Sequence, residues 1–346
     1  MGFRTLLLLL AILPASLTWA APAQQRFTDW QVTCNNQNFC VARNVGAHDG
    51  LVMTLSRSAG ARTDAVLRID YGGLDRSVTH APPLAPALLL DEQPLVPDPK
   101  SWRITPLHLL TDNSTTIDAF LNEIREGQSI TLRDARPAIS LQGLKAALLF
   151  IDTQQKRVGS ETAWIRKGSQ PPLSVPPAPA LKEVVQSGPA PAPLTREERN
   201  DLLDYGTWRI NTNQCSLDPQ RREVSVGGLS DDKALLMVSC EAGAYNTINL
   251  AWIVSRQKPF AARSVQLHLP FQPQDASRDL ELINATFDEQ TRELVTLAKG
   301  RGLGDCGVQT RWRFDGQRFR LVRYAGQSVC DGWQGADAWP TQWITR

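Results

Sequence analysis

The sequence has only four histidines in 346 residues, His48, His80, His108 and His268, and none is spaced from another as a metal site or general base would require. It contains no GxSxG, no HExxH and no CxxC, so the common serine-hydrolase, zinc-protease and thiol-exchange signatures are missing. Ser230-Asp231-Asp232-Lys233 and Ser255-Arg256-Gln257-Lys258 fit SxxK by spacing, but neither opens an expected helix and the companion KTG and SDN elements are missing. Neither sign of charge is in excess. Lys plus Arg against Asp plus Glu counts 16 to 15 over Ala21–Ser169 and 19 to 19 over Thr195–Arg346, which excludes the basic surplus of a nucleic-acid binder. Beyond the first residues no apolar run approaches the roughly 20 residues of a membrane helix. The best later stretch, Ala138–Ile151, is broken by Gln142, Gly143 and Lys145.

What is present begins with a leader. Arg4 gives a short positive region, Thr5–Leu13 an apolar run with five consecutive leucines, and Thr18-Trp19-Ala20 places small residues at the outer and inner positions of a cleavage site. Cleavage near Ala20 makes the mature chain a soluble periplasmic protein. No cysteine follows the leader to accept lipid. Composition changes again between Gln170 and Leu194, where Pro171-Pro172, Pro176-Pro177-Ala178-Pro179 and Pro189-Ala190-Pro191-Ala192-Pro193 exclude helix and central strand. This reads as a semi-rigid spacer. The plan is therefore a signal peptide (1–20), a β-rich domain (21–169), a Pro/Ala-rich linker (170–194) and a second, mainly antiparallel β domain (195–346).

In the first domain, Phe27–Cys34, Phe39–Asn44, Leu51–Arg57, Ala65–Tyr71, Ser101–Thr105 and Ser129–Arg133 read as strands bounded by turn residues. Prolines make His80–Asp91 an edge strand or irregular crossing. Two helices are expected: Thr115–Glu126, with Ile117, Phe120, Leu121 and Ile124 on one face, and one carrying Leu144, Ala147, Leu148 and Ile151. In the second domain Thr195 and Glu198 form a capping box for a short helix to about Tyr205. Eight strand-like runs follow from Glu223 to Tyr324, the last two joined at Asp315-Gly316. The fold class is mainly β with minor α (α+β), in two disulfide-stapled domains.

Six cysteines, Cys34, Cys40, Cys215, Cys240, Cys306 and Cys330, allow fifteen pairings. Neighbours in a strand meander are usually neighbours in space, which favours 34–40, 215–240 and 306–330 without deciding it. Structural staples outweigh a metal or redox site, since no ligand spacing is present.

The runs Asp29-Trp30-Gln31-Val32-Thr33-Cys34, Leu141-Gln142-Gly143-Leu144-Lys145-Ala146-Ala147, Ile151-Asp152-Thr153-Gln154-Gln155-Lys156-Arg157 and Lys299-Gly300-Arg301-Gly302-Leu303-Gly304-Asp305-Cys306-Gly307, with the Trp-rich tail after Cys330, resemble the bacterial family called domain of unknown function 1176. The first domain is also similar to the invasion-associated locus B family in its Trp-x-Val-x-Cys opening and Gly-x-x-Ala-Ala helix. These resemblances imply an envelope protein of a Gram-negative bacterium and carry over no catalytic residue.

Gly302-Leu303-Gly304-Asp305-Cys306-Gly307 matches GxGxxG, but a strand rather than a helix is expected after it, so no dinucleotide cofactor is implied. Lys299 and Arg301 flank it and can offer a weak anion site, against the simpler reading of a tight glycine turn. Arg311, Arg313, Arg318, Arg320 and Arg323 interleave with Trp312, Phe314, Phe319 and Leu321 along one hairpin, placing the arginines on one face. That face can take an anionic glycan or an acidic envelope partner; the blander alternative is a solvated face paired with carboxylates. Trp333, Trp339 and Trp343 can stack on sugar or close the core, the latter being commoner. The reading leans to a non-enzymatic binding protein of the envelope, without cofactor or metal. The alternatives are an inhibitor or receptor for a glycan-active enzyme, and a hydrolase using acids such as Asp288, Asp305 or Asp331.

Overall fold

The computed structural model describes residues 21–62, 64–74, 83–133, 138–184, 188–209, 215–273 and 276–346. The leader and His80 lie outside the described residues. The chain is mainly β with minor α, as its periodicities imply. Among the described residues, seven antiparallel strands form the first sheet, in the order Ala23–Phe27, Trp30–Cys34, Cys40–Asn44, Leu51–Arg57, Ala65–Tyr71, His108–Thr111 and Arg103–Ile104. The run expected as one strand from Phe27 to Cys34 is instead a hairpin whose strands pair Phe27 with Trp30, turned at Thr28 with φ 51°. The prolines after residue 82 admit a single helical turn, Leu84–Ala87, followed by the short strand Leu88–Leu90.

Helices Ser114–Ile124 and Leu144–Gln154 bury the expected stripes against one face of this sheet. The resulting core draws on residues from Trp30 to Trp164. Gly143 opens the second helix at φ +94°, where an added Cβ would stand 2.0 Å from the Phe27 carbonyl oxygen, so only glycine fits there. The Asp152-to-Arg157 stretch closing that helix is also structural. Asp152 accepts from Arg57 Nη2 at 2.7 Å and from the amides of Trp164 and Ile165 at 2.9 Å each. Gln155 Oε1 accepts from both Arg57 and Arg157, while Arg157 saturates itself on Thr162 Oγ1 and the carbonyls of Ser58, Gly60 and Arg62. The Arg57 guanidinium lies 3.5 Å over the Trp164 ring, and burial pulls its pKa down to about 10 against the opposing pull of Asp152.

Downstream, strands Val224–Gly228, Lys233–Ala242, Thr247–Ser255 and Ala262–Ser264 make one sheet, with Leu282–Ile283 beside the third. Thr286–Asp288, Glu293–Lys299, Gly307–Phe314, Phe319–Gln327 and Thr341–Ile344 make another. Apolar faces of both meet in a core that includes Trp312 and Trp343. The expected capping box forms reciprocally between Thr195 and Glu198, and its helix runs further than expected, Arg196–Arg209. The disulfides are Cys34–Cys40, Cys215–Cys240 and Cys306–Cys330, with no cysteine left free.

The proline-rich segment does not stand off as a spacer. Val175, Val184 and Leu194 are buried. Each proline removes a backbone donor, so the segment's carbonyls have no ladder to join and remain free acceptors. Arginines of the second half occupy them: Arg292 binds the Gly188 and Pro189 carbonyls, Arg256 those of Ala192 and Pro193, and Arg313 that of Val184.

Candidate functional site

The hairpin of Gly307–Phe314 and Phe319–Gln327 carries the arginine face. Arg320 and Arg323 are three apart, which strict alternation would put on opposite faces. The register shifts at Arg311/Trp312, so Val322 is the extra residue of a β-bulge, and Arg323 returns opposite Arg311 while Arg320 stands opposite Arg313. The arginines do share a face, yet most are spent. Arg313 binds Glu293 at 2.9 Å, Arg311 lies within 3.8 Å of Glu293 and 3.9 Å of Asp337, Arg320 binds Asp315 at 2.6 Å, and Arg323 binds Gln309 at 2.6 Å. Arg318 is exposed, and its guanidinium has no hydrogen-bond or ion-pair partner among the described residues.

The glycine-rich loop is likewise a turn. Gly300 donates to the Cys306 carbonyl and Gly304 to that of Arg301, and a strand begins at Gly307 where a dinucleotide fold would start a helix. At Gly307, with φ +135°, a Cβ would meet the Ala298 carbonyl oxygen at 2.0 Å. Arg301 is held by both oxygens of Asp305 (2.7 and 2.6 Å), while the Lys299 ammonium makes no ion pair among the described residues.

Where the hairpin tip meets strand Ala262–Ser264 and the chain at 182–184, a cleft of about 860 Å³ opens. Lys182, Arg263, Arg318 and Arg320 stand on its walls with Glu183 and Asp315, and Phe319, Leu321 and Trp343 at its base. The roof is fixed by reciprocal backbone bonds: Val184 N–H to the Arg346 carbonyl and Arg346 N–H to that of Lys182, each 2.9 Å. Arg263 donates to the Gln317 carbonyl. Lys182 and Arg263 had no local signal in the sequence, because they come from the proline segment and from a different sheet. Lys299, Arg301, Arg311 and Arg313 do not line this cleft; of the arginines singled out in the sequence, Arg318 and Arg320 do.

The three acids considered for hydrolysis are each engaged. Asp288 caps its own turn by accepting from the Gln290 and Thr291 amides, which hold its carboxyl below the ordinary range. The Arg301 hydrogen bonds hold buried Asp305 low despite desolvation, and it also accepts from Gly332 N–H at 2.7 Å. Burial would raise Asp331, but the neighbouring His48 and the charge and hydrogen bond of Arg43 more than offset it. Nδ1 of His48 accepts the Gly50 amide, and its Nε2 lies 3.5 Å from Asp331. A general acid needs a raised pKa, and none of these carboxyls has one. Among the described residues no group of three His, Cys, Asp or Glu is placed to hold a metal ion, and no helix is long and apolar enough to cross a membrane.

Of the tail tryptophans, Trp339 and Trp343 are core residues, whereas Trp333 is half-buried and borders a pocket against the first sheet. No solved structure matches this chain. It is 69% identical over 341 residues to the uncharacterized protein YpfG of Escherichia coli (strain K12), an alignment covering 99% of this chain and 98% of that one. The model of the family described as "protein of unknown function (DUF1176)" matches residues 24–346, and the chain belongs to that family.

Proposed function

We propose that this is an exported, non-enzymatic binding protein of the bacterial envelope, built of two domains, which takes an anionic ligand in the cleft at the arginine hairpin tip. The leader motif and the three disulfides support an oxidising compartment outside the cytosol. Two domains are supported by cores that do not mix: one draws on residues from Trp30 to Trp164, the others on residues from Leu194 to Trp343.

The observation that carries the ligand class is the cleft's charge. Four cations face two acids there, and Arg318 is left without a partner on an exposed wall above an aromatic base. Guanidinium forks favour carboxylate, sulfate or phosphate, and the apolar base accepts a ring face. An acidic glycan has both features. A protein partner, such as a glycan-active enzyme that this chain inhibits, would have to present an acidic residue to the same place.

The test is a titration of the mature chain with oligogalacturonate and with its fully methyl-esterified, uncharged form. The acidic form should bind, weaken as salt rises, and lose at least tenfold in affinity with Arg318→Glu plus Arg320→Glu. Equal binding of the two forms, or undiminished binding by that variant, would overturn the reading. Cell fractionation checks the compartment.

A further inference from the structure

The outer face of the first sheet carries a row of polar side chains at one register: Gln31 pairs with Arg43, Arg43 with Thr54, and Thr54 with Arg68. An outward sheet face normally meets water. Here the tail of the second half covers it. Arg43 binds Asp331 at 2.7 Å, Ser328 Oγ donates to Gln31 at 2.7 Å, and Asn36 exchanges hydrogen bonds with the Ile344 backbone at 2.9 Å. The cover is incomplete and leaves a pocket of about 360 Å³, walled by this row on one side and by Trp333 and Gln334 on the other.

Several bonding positions around that pocket are unused. Arg43 is 6% exposed, and its Nη2 is buried with no hydrogen-bond partner, whereas Nη1 is committed to Asp331. The Thr54 hydroxyl has no partner among the described residues. Gln334 donates its amide N–H to the Ala338 carbonyl, leaving its oxygen free to accept, and Arg68 is half exposed with only Nη2 engaged, on Asp70 at 3.2 Å. The Trp333 ring is braced edge-on against His48 at 6.3 Å.

Charge then selects the ligand. Arg43 is balanced by Asp331 and Arg68 by Asp70, so the pocket offers donors and acceptors without a net field. We infer that the pocket between the first sheet and the Trp333 segment binds one uncharged sugar ring, its hydroxyls on Thr54, Arg68 and Gln334 and its face on Trp333. Planar polar side chains match vicinal hydroxyls, and an aromatic wall matches the C–H face of a pyranose. The volume is near the lower end of small-molecule sites, about 300–1,000 Å³, which suits one ring rather than a chain.

The test is calorimetric titration of the mature chain with the methyl glycosides of glucose, N-acetylglucosamine and glucuronate, with tryptophan fluorescence as a second readout. At least one of the two neutral glycosides should bind more tightly than glucuronate and change the fluorescence. Trp333→Ala and Arg68→Ala should each weaken that binding at least tenfold. Both side chains are partly exposed, so the thermal midpoint should hold and separate a lost contact from a lost fold. Arg318→Glu plus Arg320→Glu should leave it unchanged, which keeps this pocket distinct from the anionic cleft. No binding of either neutral glycoside, preference for glucuronate, or full affinity in both pocket variants would show that water alone fills the space.

Discussion

Two arginine–aspartate pairs are buried, Arg57–Asp152 within the first half and Arg43–Asp331 between the first half and the tail, and the two places differ in what the arginines have left over. Around Asp152, Arg57 and Arg157 find a carboxylate, an amide oxygen, a hydroxyl and four carbonyls between them, and neither is among the residues with an unpaired buried atom. Around Asp331, Arg43 keeps a buried nitrogen without a partner. A saturated network is architecture, since any ligand would have to displace a bond already made. An unsaturated one beside an open space is where binding can add a bond. By this measure a motif that helps identify the family, the stretch from Ile151 to Arg157, explains stability, and the proposed sugar pocket lies where a second segment closes imperfectly over a polar face.

The sharpest way to break this comparison is Asp152→Ala. It strips Arg57 of its counter-charge and orphans the Trp164 and Ile165 amides, so it should cost about 3–5 kcal/mol in urea unfolding, and no ligand should be affected short of unfolding. If the cost is under 1 kcal/mol, the network is not the keystone described. Next comes the tail's anchor. Replacing Cys306 and Cys330 together with serine removes a link across 24 residues and should cost about 3 kcal/mol. Amide exchange should quicken around Asp331 and Trp333 while the strands from Trp30 to Ile69 keep their protection. Uniform quickening would mean that the halves unfold as one.

A smaller effect depends on pH. Hydrogen bonds from Arg256, then the Thr195 amide, hold the Glu198 carboxyl at about 2. Its folded pKa lies below its unfolded value of about 4.3. Its stabilisation is therefore complete above that value and is lost as pH falls from there towards 2. Glu198→Gln should flatten that part of the stability–pH curve, by an amount on the order of 1–2 kcal/mol between pH 5 and pH 2. An unchanged slope would remove this pair from the account of acid sensitivity. Smallest of all should be Arg311→Gln, whose partners lie at 3.8 and 3.9 Å on a part-exposed face: stability should change by no more than about 0.5 kcal/mol.

Much of the fold was legible in the chain, because strand alternation, helical stripes and caps are local. The stripe of Ile117, Phe120, Leu121 and Ile124 and the Thr195–Glu198 box needed nothing beyond their own segments. The candidate sites were less legible. The arginine hairpin was visible as a pattern, but Glu293 and Asp337, which neutralise Arg311 and Arg313, reach them only through register and through the folding back of the tail. Trp333 reads like Trp339 and Trp343 in sequence, and only its position over another sheet separates it from two core residues.

Composition and periodicity by themselves determined that this is a mainly β, disulfide-stapled chain without catalytic spacing, since those properties depend on residue type and near neighbours. Which arginines remain unspent, where the proline segment is tied down and which polar face the tail covers were decided only in three dimensions. Partners for a charge or a hydrogen bond are set by distance in space, and here they come from residues dozens to hundreds of positions apart, as with Arg43 and Asp331.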